Sequence, residues 1–158
     1  MSVALRPVCP DDDSFLYALY ASTRIEEVAG FGWDAAQQEA FFALQFKGQQ
    51  QHWRMQLPDA DHHIIIVDDQ PAGRLLVNRS DKEIRLGDIS LMPEHRSRGI
   101  GASLIRQLQS EAVRDNKSLT LHVARFNRAI RLYERLGFVT VADIGTHFRM
   151  EWRAQTKS

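Results

Sequence analysis

The sequence predicts a mixed α/β fold in a single domain, residues 1–158, with a central mixed sheet of roughly six to seven strands and helices on both faces. Three observations predict it. Two helical segments come first, a meander of three strands follows, and helices then alternate with strands. A chain of 158 residues, 44% of them hydrophobic, is long enough to bury one core of this size.

The first third of the chain predicts a short strand and two helices. The strand covers residues 3–6, and the run Asp11-Asp12-Asp13 offers an N-cap to the first helix. A second helix is expected over residues 34–57, because this stretch is rich in Gln, Ala and Glu.

The middle of the chain predicts three strands. Residues 63–67 form an apolar, β-branched run, and a turn leads into a second strand over 73–77. The third strand covers 84–92, where the apolar positions change parity around Gly87. Such a change indicates a bulge, or a strand that is buried on both faces.

The last third alternates helices with strands. The predicted elements are a helix over 99–114, a strand over 119–124, a short helix from Asn127, and strands over 138–142 and 146–152. The first of these helices is amphipathic, because its apolar residues recur at helical spacing. Gly137 is placed to end the short helix as its C-cap.

The composition argues against several classes of function. Twenty basic and twenty acidic side chains give a formal net charge of zero, so we expect neither nucleic acid nor a membrane surface as a partner. No apolar run approaches the roughly 18 residues of a membrane span. The single cysteine, Cys9, cannot form an intrachain disulfide, which favours the reducing cytoplasm.

One loop has the features of a phosphate site. Arg96-Ser97-Arg98-Gly99-Ile100-Gly101 lies between a predicted strand and the start of a helix, where backbone N–H groups converge. Gly99 and Gly101 let the backbone approach an anion, and Arg96 and Arg98 add positive charge. A dinucleotide fingerprint fails because Leu104 replaces its third small residue, and a Walker loop fails because no Gly-Lys-Ser/Thr follows.

A second motif makes the pattern specific. Arg96-x-x-Gly99-x-Gly101, followed by Asn127 and by Ala129-Ile130-Arg131-Leu132-Tyr133-Glu134-Arg135-Leu136-Gly137-Phe138, resembles the GNAT (GCN5-related N-acetyltransferase) superfamily over about residues 84–138. The resemblance implies a GNAT-like fold in which the strands at 84–92 and 119–124 splay apart, with acetyl-CoA as acyl donor. The residues that it places on the cofactor are Leu91, Met92, Arg96, Ser97, Arg98, Gly99, Ile100, Gly101, Ala102 and Asn127.

Acyl transfer to an amine needs a base, an oxyanion site and a proton donor for the thiolate. Tyr133 is the candidate acid that the resemblance implies, although packing within its helix accounts for it as well. Asp88 is the first candidate base, and a solvated sheet face explains it equally well. Glu26, Glu27 and Glu83 are weaker alternatives. Where some family members carry a base on this strand, the present chain has Arg85.

The acceptor side is less defined. In the family the loop between the N-terminal helices borders the acceptor pocket, which makes Glu26 and Trp33 candidate substrate residues. The other aromatic residues near Trp33 are expected in the core. Six histidines show no ligand spacing, so we expect no metal.

The predicted function is an acetyl-CoA-dependent N-acetyltransferase that moves an acetyl group to a primary amine by direct attack in a ternary complex. The acceptor is a small-molecule or peptide amine, and a homodimer is left open. The alternatives are a non-catalytic acyl-CoA-binding or regulatory module and a protein-interaction domain whose Gly loop is structural.

Overall fold

The computed structural model describes residues 1–154, apart from the side chains of Glu26 and Glu27. The chain forms two compact units. The first consists of Met1–Leu75 and Ser90–Arg96, and the second consists of Leu76–Ile89 and the residues from Ser97 onward. Two strands, β3 (Gln70–Arg79) and β4 (Glu83–Leu91), contribute residues to both units.

The first unit contains both long N-terminal helices. Its other elements are β1 (Val3–Pro7), α1 (Asp13–Val28), α2 (Ala35–Gln56), β2 (Asp61–Val67) and parts of β3 and β4. A reciprocal capping box starts α2: Asp34 accepts the N–H of Gln37 at 2.8 Å, and Gln37 accepts the N–H of Asp34 at 3.0 Å. The helix then continues through Gly48 without a break.

Strand pairing and an ion pair fix the start of the first unit. β1 pairs antiparallel with β2, from Val3 opposite Val67 to Pro7 opposite His63. Arg6 at the end of β1 binds both carboxylate oxygens of the buried Asp12, at 2.7 and 2.8 Å. This bidentate pair ties β1 to the start of α1.

Gly73 marks a close approach of β3 to the end of β4 in the first unit. A Cβ atom at Gly73 would lie 2.1 Å from the carbonyl oxygen of Ser90 and 3.0 Å from the side chain of Leu91. Met92 then donates its N–H to the carbonyl oxygen of Ala72 at 2.7 Å. Only a glycine permits this spacing at position 73.

The second unit contains the alternating part of the chain. Besides parts of β3 and β4 it contains α3 (Ile100–Arg114), β5 (Ser118–Ala124), α4 (Ala129–Arg135), β6 (Val139–Asp143) and β7 (His147–Trp152). The apolar side of α3 is buried as predicted, through Ile100, Leu104, Ile105, Leu108 and Ala112. Gly137, with φ +97°, follows α4 in the left-handed conformation expected of a C-cap glycine.

The predicted fold class is confirmed. Among the described residues there are seven strands and four α-helices, and the strands follow the order β1-β2-β3-β4-β5-β7-β6 in one sheet. The sheet is mixed because β4 and β5 are parallel, whereas β5 and β6 both run antiparallel to β7. Within residues 1–154, no helix has the length and apolar character that crossing a membrane requires.

Candidate active site

The second unit contains an opening between two parallel strands. β4 and β5 pair from Glu83 opposite Ser118 to Leu86 opposite Leu121, and no later pair forms between them among the described residues. Burial along β4 alternates up to Leu86, after which every residue to the end of the strand is half-buried. This opening lies within the two strand segments that were predicted to splay.

The start of α3 lies against β4 beyond the last strand pair. Gly101, in the first turn of α3, has the side chain of Ile89 as its nearest neighbour, 4.0 Å from the position of a Cβ atom. No side chain caps this helix, whose N-cap residue is Gly99. The N–H groups of the first turn therefore have no partner within the helix and are suited to bind an anion.

The loop before α3 turns through two left-handed residues. Ser97 has φ +61° and Gly99 has φ +81°, and both residues are exposed, as is Arg98 between them. A Cβ atom at Gly99 would meet no atom within 4 Å, so space is open above this position. The left-handed conformation, and not crowding, is what requires glycine there.

Arg96 has two hydrogen-bond partners within the first unit. Its Nε donates to the carbonyl oxygen of Leu91 at 2.9 Å, and its Nη2 donates to Ser22 Oγ at 3.3 Å. The guanidinium therefore links the end of β4 to α1. Ser22 was not singled out from the sequence, because a contact 74 residues apart leaves no local pattern.

Leu91 and Met92, two of the predicted cofactor residues, lie at the end of β4 in the first unit. Both side chains are half-buried. The carbonyl oxygen of Leu91 accepts the bond from Arg96, and the N–H of Met92 is bonded to Ala72. Hydrogen bonds to Arg96 and to Ala72 therefore fix the backbone at the end of β4.

The structure brings the two candidate catalytic residues together in the second unit. Tyr133 on α4 is buried, with 8% of its surface exposed, and its ring lies 5.8 Å from that of Phe138. Burial raises the pKa of the Tyr133 phenol to about 12, and the negative charge of Asp88 acts in the same direction. Asp88 itself is half-buried on β4, two residues beyond the last pair of this strand with β5.

The pKa of Tyr133 limits what the phenol can do. It stays protonated at neutral pH, so it is a permanent hydrogen-bond donor. Full proton transfer to a thiolate whose thiol has a pKa near 8.5 would be uphill by roughly 5 kcal/mol. Hydrogen bonding to developing charge on sulfur is therefore the role that this phenol is suited to perform.

Asn127 lies two residues before α4, whose N-cap residue is Arg128. The Oδ1 of Asn127 accepts the N–H of Ala129, the first residue of the helix, at 2.9 Å, so it satisfies one N–H of the first turn without being the N-cap residue. The side-chain NH₂ group of Asn127 remains as a donor for a second partner, and the residue is exposed.

The candidate acceptor residues, Glu26 and Trp33, belong to the first unit, and Glu83, an alternative base, belongs to the second. In the first unit, Trp33 is half-buried in an aromatic cluster, with ring centres 5.1 Å from both Phe31 and Phe41. Glu26 lies in α1, and its side chain is outside the described part of the structure. In the second unit, Glu83 on β4 forms an ion pair with Arg149 at 3.2 Å.

Histidine and carboxylate side chains are dispersed. Among residues 1–154, apart from the two undescribed glutamate side chains, no group of three His, Cys, Asp or Glu residues is arranged to hold a metal ion.

Comparison with known proteins decides the family. The family model described as "Acetyltransferase (GNAT) family" matches residues 15–138 of the chain. The chain belongs to this family. The family match confirms the resemblance and the predicted class of enzyme, an acyltransferase. A search among curated proteins found no sequence that matches this chain.

Solved structures agree with the enzyme's fold. The chain is similar to the PaiA N-acetyltransferase from Thermoplasma acidophilum in complex with coenzyme A, with TM-score 0.72 and 18% identity over 98% of this chain and 100% of the other. It is also similar to YncA, a putative acetyltransferase from Salmonella typhimurium with acetyl-CoA, at TM-score 0.58 and 18% identity, covering 100% and 97%. The ribosomal-protein-S18-alanine N-acetyltransferase from Escherichia coli gives TM-score 0.61 and 19% identity, covering 99% and 97%.

Proposed function

We propose that the enzyme transfers the acetyl group of acetyl-CoA to a primary amine of a small molecule or peptide, by direct attack in a ternary complex. One observation carries this proposal. Asp88 and Tyr133 interact in the unit where the β4–β5 pairing ends and the uncapped N-terminus of α3 begins. The residues proposed as proton acceptor, hydrogen-bond donor and anion site thus belong to one compact unit.

The donor half of the site is the loop and first turn of α3. The backbone N–H groups of Arg98, Gly99, Ile100, Gly101 and Ala102 are proposed to hold the pyrophosphate. The exposed loop and the open space at Gly99 support this role, because phosphate oxygens can reach the backbone there. Asn127 offers its NH₂ group to the pantetheine arm or to the acceptor. Leu91, Met92 and Arg96, in the first unit, are proposed cofactor residues as well.

Asp88 is proposed to prepare the amine for attack. An amine with a pKa of about 10.4 is neutral in only about one molecule in two thousand at pH 7, so removal of its proton limits the rate. The carboxylate accepts a hydrogen bond from the ammonium group and passes its proton on to water, which leaves the neutral amine positioned for attack. The neutral nitrogen then attacks the thioester carbonyl and forms a tetrahedral oxyanion.

Tyr133 is proposed to act on the leaving group. As the C–S bond breaks, negative charge develops on sulfur, and the phenol donates a hydrogen bond to it. The nitrogen loses its second proton, the sulfur gains one, and the products are the amide and free CoA thiol. Because the pKa of Tyr133 is about 12, the phenol stabilises the charge without ionising at neutral pH.

The test is a thiol-release assay with acetyl-CoA and a panel of amines and peptides. CoA release is expected to depend on the added amine, and Asp88→Asn is expected to lower kcat by roughly 100-fold at neutral pH. The matched control is Asp81→Asn, which removes an exposed acid elsewhere in the same unit. Binding of acetyl-CoA without turnover on any amine would instead indicate a non-catalytic acyl-CoA module.

The family match also bears on organisation and location. It covers parts of both compact units, which supports a proposal that residues 1–158 act as a single acetyltransferase domain. We further propose that the enzyme works in the cytoplasm, since its single cysteine, Cys9, is a free and exposed thiol.

A further inference from the structure

One face of the sheet in the second unit carries a set of basic side chains. We call it the basic face, formed by Arg85 on β4, His122 on β5, and His147 and Arg149 on β7. His122 lies directly opposite Arg149 in the antiparallel pair of β5 with β7. Arg85 lies opposite Thr120, two residues before His122, and side chains two residues apart on a strand share a face.

Both carboxylates on this face are ion-paired, and one of them is paired with Arg149 of the basic face itself. Glu83 is paired with Arg149 at 3.2 Å, and Glu151 is paired with Arg153 at 2.5 Å. The side chain of Arg85 is half-buried, and its Nε is buried without a hydrogen-bond acceptor among the described residues. No ion pair among the described residues includes Arg85, so the positive charge of its half-buried guanidinium group is suited to attract an anion from outside the chain.

The charges around His122 are also predominantly positive. Burial lowers the pKa of its imidazole, and the charges of Arg85, Arg149 and His147 lower it further. Only the nearby charge of Glu83 acts in the opposite direction. A neutral imidazole beside two guanidinium groups can donate one further hydrogen bond to an anion.

The basic face borders the proposed active site. Arg85 precedes Asp88 by three residues on β4, which corresponds to about 10 Å along the strand. In a regular strand this odd separation would place the two side chains on opposite faces, but the alternation of burial stops between them, at Gly87. His122 is the first residue of β5 beyond the last pair with β4. A ligand held by these two side chains therefore lies within the length of a small molecule from the candidate base.

We propose that the basic face binds an anionic group of the acceptor, so that the preferred substrates are primary amines that also carry a carboxylate or a phosphate ester. This inference rests on the proposed function. Arg85 supplies a planar pair of N–H donors that matches either group, and His122 supplies a third. Polycationic acceptors, such as polyamines and aminoglycosides, are disfavoured because the same face repels them.

Matched acceptors test the charge preference. Alanine is compared with alaninamide, and O-phosphoethanolamine with ethanolamine, by thiol release with acetyl-CoA. The anionic member of at least one pair is expected to have a kcat/KM roughly tenfold or more above its neutral partner, chiefly through a lower KM. The pair that shows the preference distinguishes a carboxylate from a phosphate. Equal rates within both pairs, or a preference for the neutral members, would overturn the inference.

Variants locate the preference. Arg85→Gln is expected to abolish it by lowering kcat/KM for the anionic acceptor about tenfold, while the neutral acceptor changes less than about twofold; Arg85→Lys should restore part of the difference. Glu83→Gln removes a negative charge and is expected to increase the preference. The control is Arg114→Gln, an exposed cation at the end of α3 whose loss should leave both acceptors unchanged. An unchanged preference in Arg85→Gln would contradict the assignment.

A binding measurement separates this inference from the proposed function. N-acetylglycine, which has a carboxylate but no amine, is titrated into the free enzyme while the imidazole resonances of His122 are followed by NMR, with N-acetylglycinamide as control. His122→Gln identifies the signals. If the His122 resonances shift with N-acetylglycine and not with N-acetylglycinamide, while no amine is acetylated, the anion site is supported and the proposed function is wrong. If amines are acetylated without a charge preference and the resonances do not shift, the proposed function is supported and the anion site is wrong.

Discussion

The negative charge of Asp88 adds to burial in keeping the phenol of Tyr133 protonated, with a pKa of about 12. The two residues are far apart in sequence, on β4 and α4, and they interact within one compact unit. Because the two groups interact, replacing Asp88 is expected to change the pKa of Tyr133, and this change can be measured.

Replacing Tyr133 with Phe removes the hydrogen bond to sulfur and keeps the packing against Phe138. We expect kcat to fall by roughly 10- to 100-fold, because one charge-assisted hydrogen bond in the transition state is lost, while the Kd for acetyl-CoA changes little. Thiol release under saturating amine measures it. Tyr17→Phe, whose hydroxyl bonds the carbonyl of Glu39 at 3.2 Å in the other unit, is the control. A variant as fast as the parent enzyme would exclude Tyr133 from the chemistry.

The ionisation of Tyr133 can be followed by the ultraviolet absorbance of tyrosinate. The difference between the parent enzyme and Tyr133→Phe is expected to titrate with a pKa of about 12, and Asp88→Asn should lower that pKa. Because the folded-state pKa exceeds the unfolded value of about 10, stability from this group is complete below about pH 10 and falls as the pH rises towards 12. A transition near the unfolded value would show that the phenol is not buried.

Two glycines in the phosphate loop are expected to respond differently to alanine. Gly99→Ala places a side chain at φ +81° and should cost about 1 kcal/mol of folding free energy, measured by denaturant unfolding. Gly101→Ala meets its nearest neighbour at 4.0 Å inside a helix, so the free protein should be as stable or more stable. If the pyrophosphate binds there, both variants raise the Kd for CoA. If the affinity for CoA is unchanged in both variants, the pyrophosphate does not bind at this loop.

The ion pair of Arg6 and Asp12 predicts an acid-sensitive first unit. The hydrogen bond from Arg6 holds the pKa of the buried Asp12 carboxyl well below its usual range. Its stabilisation is therefore complete above the unfolded pKa of about 4 and is lost as the pH falls towards the lowered value. Asp12→Asn should cost about 1 to 3 kcal/mol at neutral pH and reduce the loss of stability on acidification. The matched control is the exposed Asp11→Asn.

Gly73 is predicted to tolerate no side chain. Because a Cβ atom would approach the backbone oxygen of Ser90 to 2.1 Å, Gly73→Ala should destabilise the protein by more than the roughly 1 to 3 kcal/mol of ordinary overpacking. The melting temperature gives the measurement. Gly30→Ala is a suitable control, since nothing lies within 4 Å of a Cβ atom there. Equal melting temperatures for both variants would contradict the close approach of β3 and β4.

Local patterns predicted most of the fold. The apolar spacing of α3 and the glycine after α4 follow from the preferences of a few neighbouring residues, and the structure agrees with both. Asn127 bonds the N–H of Ala129, although the N-cap residue of α4 is Arg128. The change of parity around Gly87 predicted either a bulge in β4 or burial of both its faces, and the residues from Gly87 to Leu91 are half-buried. Burial along this strand stops alternating at that point, where pairing with β5 also ends.

Long-range contacts could not be predicted in the same way. The bonds of Arg96 to Ser22 and Leu91 depend on how distant segments fold together. The basic face was missed because its strands come from separate parts of the chain. His122 and Arg149 face each other only through the register of β5 with β7, and the histidines had been considered only as metal ligands. The alternation of polar and apolar residues in β5 and β7 indicates which side chains share a face within each strand. It does not specify which residues of the two strands lie opposite each other.

The early end of the β4–β5 ladder has a further consequence. Beyond Leu86 and Leu121, no pair forms between β4 and β5 among the described residues, so a bound molecule can bridge the backbone edges that these two strands turn towards each other. A pantetheine arm carries two amides of its own and can occupy such a gap as a surrogate strand. Amide hydrogen exchange in residues 87–89 and 122–124 should then slow when CoA is added, and the cofactor would be an architectural part of the sheet as well as a reagent.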